Sequence, residues 1–150
     1  MIYQARRFTC GPASLHNALN FLYGKSAPSE EQLSLLAGTD TEGTGAHQMK
    51  LALKSLGIPF KTHSFKGKAK AHHTLWTEHF QSQLSIATVA YCNKREHWFT
   101  LVDVVANRSI VIDSADPDLI VRWSTEKLMD EWGRDASGKE HRYYSIVIGA

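Results

Sequence analysis

The chain has 150 residues, 43% of them apolar and 21% charged, which suits a soluble globular protein and argues against disorder. Seventeen basic and 15 acidic residues leave a net charge of +2, too small to suggest a nucleic-acid or membrane-surface partner. Two cysteines exclude a disulfide framework, and neither a basic-then-apolar leader nor a transmembrane-length apolar run occurs, so the chain reads as cytoplasmic with free thiols.

The length suits one domain, 1–150, with a core of its own. Its first element is a helix over Pro12 to Tyr23, predicted by Leu15, Ala18, Leu19 and Leu22 at i, i+3, i+4, i+7, with Gly24 as its stop. Ser29-Glu30-Glu31-Gln32 is a capping-box pattern that opens a second helix ending at Gly38, with Leu33, Leu36 and Ala37 as its buried face. A Gly/Thr-rich loop, Gly38 to Gly45, leads to a third helix from Ala46 to Leu56, with Gly57 beyond it. Ile58 to Phe65 reads as a strand, Lys66 to Lys70 as a solvated lysine loop, and Leu75 to Leu84 as a helix. Ile86 to Tyr91 is β-rich and apolar, like a central strand. His97 to Val105 and Ser109 to Ile112 flank Ala106-Asn107-Arg108 as a hairpin. Leu119 to Trp123 reads as a strand, Ser124 caps a helix to Trp132, and Arg142 to Ile148 is a last strand. The order predicts an α+β fold, an N-terminal helical lobe packed on an antiparallel sheet.

Cys10 stands at the start of the first helix, before Gly11-Pro12, rather than on its apolar stripe. Unpaired backbone N–H groups and the positive end of the macrodipole favour a thiolate there, which makes a nucleophile at neutral pH. A cysteine nucleophile needs a base, and the base needs an orienting group. Of eight histidines, His16 lies on the same helix but points elsewhere, and it reads, with His47, His72, His73 and His141, as a surface residue. His97 opens a largely apolar strand, and Asp113 ends the partner strand of its hairpin, so the two should lie close across the ladder. A carboxylate there holds the imidazole tautomer and stabilises the imidazolium. Gln4, six residues before Cys10, can donate to an oxyanion alongside the backbone N–H of Cys10.

Gln4, then Cys10-Gly11-Pro12-Ala13-Ser14-Leu15, then Gly43-Thr44-Gly45 before a helix ending Leu56-Gly57, resemble in order the C39 group of papain-like cysteine peptidases. So does His97-Trp98-Phe99-Thr100-Leu101-Val102 with an aspartate sixteen residues beyond His97. The resemblance implies a papain-like fold, with Cys10 as nucleophile, His97 as base, Asp113 as orienting carboxylate and Gln4 as oxyanion donor. Many members carry aspartate before the cysteine, where this chain has Thr9, and Asp-Pro at the third position, where it has Asp113-Ser114. A true Asp-Pro follows at Asp116-Pro117, which makes Asp116 the alternative third residue.

The chain therefore reads as a cysteine peptidase acting on a peptide or protein, with an amidase, deamidase or acyltransferase on the same apparatus as the alternative. A non-catalytic peptide-binding module is disfavoured, since all four residue types are kept. No cofactor is expected: His-Glu-x-x-His, Cys-x-x-Cys, phosphate-loop and dinucleotide patterns are all missing, so neither a preformed metal site nor a nucleotide is implied.

Overall fold

Pro12 and the stripe Leu15, Ala18 and Leu19 build helix α1 (Cys10–Tyr23), which begins two residues earlier than its periodicity requires and so takes Cys10 into its first turn. The computed structural model describes residues 1–5, 9–81, 86–105 and 107–149. The capping box forms as read: the backbone N–H of Gln32 donates to Ser29 Oγ and that of Ser29 to Gln32 Oε1, starting α2 (Glu30–Ala37). Gly38 ends α2 in the left-handed conformation (φ 68°), and α3 (Ala46–Ser55) follows the Gly/Thr loop.

Strands β1 (Phe60–Phe65), β2 (Ile86–Cys92), β3 (His97–Val105), β4 (Arg108–Ile112), β5 (Ile120–Ser124) and β6 (Tyr143–Gly149) form one sheet in the order β1-β6-β2-β3-β4-β5. Every neighbouring pair is antiparallel. Two further helices interrupt the strands, α4 (Lys68–Gln81) and α5 (Thr125–Gly133), the latter capped by Ser124 Oγ, which accepts from the backbone N–H of Lys127.

The first three helices cover one face of the sheet, where Leu15, Leu19, Leu33, Met49 and Leu53 meet Val89, Trp98, Ile146 and Ile148. Helices α4 and α5 cover the other, where Leu75, Leu128, Met129 and Trp132 meet Phe99, Leu101, Val111 and Tyr143. The helical lobe on an antiparallel sheet is thus present, as one side of a three-layer arrangement. With both faces buried, β2 carries almost no polar alternation, and its sequence is nearly all apolar.

Two expectations need correction. Lys68 and Lys70 lie in α4 rather than in a loop, because Ala71 and Leu75, one turn apart, bury against the sheet and draw the preceding residues into helix. Leu84, the expected end of that helix, and Ala106 in the hairpin turn lie outside the described residues. His16 and His72 are half-buried rather than on the surface, and His16 Nδ1 is hydrogen-bonded to the Pro28 carbonyl at 2.7 Å.

Candidate active site

Two buried residues fasten the start of α1 to the start of β3. Ser14, one turn after Cys10, donates from Oγ to the Trp98 carbonyl at 3.0 Å, and Thr100 Oγ1 donates to the Ser14 carbonyl at 2.7 Å. The helix is locked in register with the strand, so Cys10 meets His97 although 86 residues separate them along the chain. Cys10 lies against His97 and the backbone of Trp98 and Gly11, whose polar groups favour the thiolate. Burial by itself would push the thiol up; these contacts and the charge of His97 outweigh it and hold the Cys10 pKa below its ordinary value of 9.0.

His97 Nε2 lies 2.6 Å from Asp113 Oδ1. Burial would depress the imidazole, but its hydrogen bonds to Asp113 and Cys10 prevail and raise it to about 9. Asp113 is 0% exposed, yet His97, the Ala115 backbone N–H and Arg95 hold its carboxyl down to about 2 against the upward push of burial. The two residues are not direct cross-strand partners. Thr100 faces Ile112 and Leu101 faces Val111, so continuing the ladder sets Asp113 opposite Phe99, with His97 its diagonal neighbour two residues on. Asp116 takes another role: its Oδ1 accepts from the backbone N–H of Asp118, and its own N–H donates to the Asp113 carbonyl, closing the turn after β4.

Gln4 is held beside this group by Ser114, the residue after Asp113. The Gln4 backbone N–H donates to the Ser114 carbonyl at 3.2 Å, and Ser114 Oγ donates to Gln4 Oε1 at 2.9 Å. The amide oxygen is thereby turned toward Ser114.

A cleft of about 680 Å³ opens beside Cys10, between the Gly/Thr loop and the aromatic residues Tyr91, Trp98 and Tyr144. Trp98 Nε1 donates to the Thr44 carbonyl at 2.8 Å, tying the loop to β3. Gly11 permits the same approach from α1: a Cβ there would stand 2.8 Å from Thr44 Cβ. Among the described residues, no three His, Cys, Asp or Glu side chains converge to hold a metal.

Sequence reasoning passed over several residues that build this site. Arg95 Nη2 lies 3.0 Å from Asp113 Oδ2, while its Nε lies 3.2 Å from Glu131 Oε2. Glu131 also accepts from the Cys92 thiol at 3.2 Å, and burial together with that carboxylate pushes Cys92 up to about 11. A charge two residues before the histidine is the only mark Arg95 leaves in the sequence. Ser14 and Thr100 leave less: they are polar residues at positions otherwise suited to core.

No helix among the described residues is long and apolar enough to cross a membrane. Solved structures similar over nearly the whole chain include the peptidase domain of Streptococcus ComA, a bi-functional ABC transporter, at 25% identity and a TM-score of 0.70, covering 99% of this chain and 96% of that one. A double glycine motif protease from an AMS/PCAT transporter superposes with a TM-score of 0.73 at 18% identity, covering 99% and 89% of the two chains. A C39-like peptidase from Bacillus anthracis does so with 0.68 at 14%, covering 99% and 92%. No curated protein matches the chain. The model of the Peptidase C39 family matches residues 1–136, and with the papain-like fold this places the chain in that family of cysteine peptidases.

Proposed function

We propose that this chain hydrolyses peptide bonds with Cys10 as nucleophile, His97 as acid and base, Asp113 as the orienting carboxylate, and Gln4 with the Cys10 backbone N–H as oxyanion donors. The observation that carries the reading is the unbroken series Cys10–His97–Asp113, with its sulfur end in the cleft. Asp113 takes Nε2 of the imidazole, which leaves Nδ1 as the nitrogen for the sulfur in this reading. A lowered thiol and a raised imidazole favour the thiolate–imidazolium pair at neutral pH.

In the first half-reaction the thiolate forms a C–S bond to the scissile carbonyl carbon, and the C=O π pair moves onto oxygen. Hydrogen-bond donors aimed at that oxygen supply the stabilisation that the ground-state carbonyl does not need. The C–N bond then breaks as the imidazolium gives its proton to the leaving amine, leaving a thioester on Cys10. In the second half, His97 takes a proton from water, the resulting hydroxide attacks the thioester, and the C–S bond breaks to restore the thiolate. A peptide substrate is supported by the likeness to the AMS/PCAT protease, whose structure holds a leader peptide.

Incubation with peptide libraries and with small amides, analysed by mass spectrometry, tests this. New peptide termini that vanish with Cys10→Ala are expected. Mass shifts without chain cleavage would instead assign acyl transfer or deamidation, and peptides retained intact would assign a binding module.

A further inference from the structure

The cleft is acidic although the protein is not. Among the described residues, its lining includes Glu42 and Glu96 and no lysine, arginine or histidine, in a chain of net charge +2. The cations nearest Glu96 in sequence are engaged elsewhere: Lys94 Nζ lies 2.7 Å from Asp130, and Arg95 bridges Asp113 and Glu131. Among the described residues, neither Glu42 nor Glu96 has a side-chain hydrogen bond or counter-ion. Glu96 adopts a left-handed backbone (φ 48°) that side-chain-bearing residues avoid, at the turn that delivers His97. Its charge is felt at the Tyr91 hydroxyl, which burial first and Glu96 next push above its ordinary range.

Behind these carboxylates stands an aromatic wall. Tyr91 and Trp98 meet edge to face, with centroids 5.0 Å apart at 67°, and Trp98 and Tyr144 do so at 6.1 Å and 76°. The bond from Trp98 Nε1 to Thr44 fixes the middle ring. Tyr144 also lines the cleft, and its hydroxyl is buried without a hydrogen-bond partner among the described residues. Aromatic faces beside unpaired carboxylates attract an ammonium or guanidinium and repel an acid. A bound cation would also offset the repulsion between the two carboxylates and the Cys10 thiolate.

Resting on the peptidase reading, we propose that this cleft selects peptides with a lysine or arginine close to the scissile bond, its cationic end seated between Glu42 and Glu96 against Tyr91, Trp98 and Tyr144. The preference belongs to the substrate side chain and is independent of how the bond is cut.

Binding to the Cys10→Ala variant separates the two. Fluorescein-labelled decapeptides of neutral residues, carrying Lys, Gln or Glu at each position in turn, are titrated by anisotropy at low and high salt. At one or two adjacent positions Lys should bind about fivefold tighter than Gln, and Glu weaker still, with the difference shrinking in high salt. Adding Glu42→Gln and Glu96→Gln should abolish the Lys preference; where that variant does not fold, the wild-type charge series stands as the test. Equal affinity for Lys, Gln and Glu at every position would overturn the proposal. Cleavage of the same peptides by the intact protein without charge preference would refute selection and leave the peptidase. A Lys preference in binding with no cleavage would do the reverse.

Discussion

The imidazole of His97 sits between a sulfur and a carboxylate, and each neighbour raises its affinity for a proton. In the proposed reading Asp113 both charges the ring and fixes which nitrogen faces Cys10. Asp113→Asn should therefore lower kcat/KM by roughly a hundredfold or more while the fold persists, measured on a peptide that the intact protein cleaves. Arg95 touches Asp113 and Glu131 rather than the cleft, so the same reading makes it a positioning residue. Removing its charge lets the carboxylate hold the imidazolium more strongly. Arg95→Gln should thus move the alkaline limb of the kcat/KM profile upward from about 9, with a smaller loss of rate than Asp113→Asn. An unchanged limb would confine Arg95 to structure alone. Cys10 and His97 were legible as residues because helix start and strand start are visible in local pattern. Arg95 was not, since nothing local tells an arginine on a buried carboxylate from one in water.

At the scale of elements, the site depends on α1 lying at one height on β3. Ser14→Ala leaves the Trp98 carbonyl without the hydroxyl it receives and should cost about 1–3 kcal/mol in denaturant unfolding. Gly11→Ala forces a methyl against Thr44 and should cost a similar amount by overpacking, with a further loss of activity as the Gly/Thr loop is pushed back. If Gly11→Ala matched the parent in both stability and rate, the close approach of loop and helix would lose its importance. Most of these elements could be read in advance, because caps at Ser29 and Ser124 and stops at Gly38 and Gly57 are local chemistry. The start of α4 could not: its lysines look solvated, and the reason they are helical is the burial of Ala71 and Leu75 against strands distant in sequence. The diagonal placement of Asp113 was equally hidden, since a bulge between Leu101 and Asp103 shifts the hairpin register.

For the whole molecule, the contrast between its two thiols exists only in the folded chain. Cys10 is 8% exposed and opens on the cleft, whereas Cys92 is 0% exposed and held protonated beside Glu131. A neutral alkylating reagent should label Cys10 well before Cys92 in the native protein, and both at similar rates in concentrated urea, as followed by peptide mass mapping. Three layers bring this about: the first three helices deliver the sulfur from one side, and the sheet delivers the imidazole and the carboxylate.

The most direct test is the pH dependence of native Cys10 alkylation by iodoacetamide, with and without His97→Ala. The paired thiol should react with a midpoint below the ordinary 9.0 and slow markedly near neutrality when the imidazole is removed. A single rise centred near 9.0, the same in both proteins, would contradict the ion pair and the peptidase built on it.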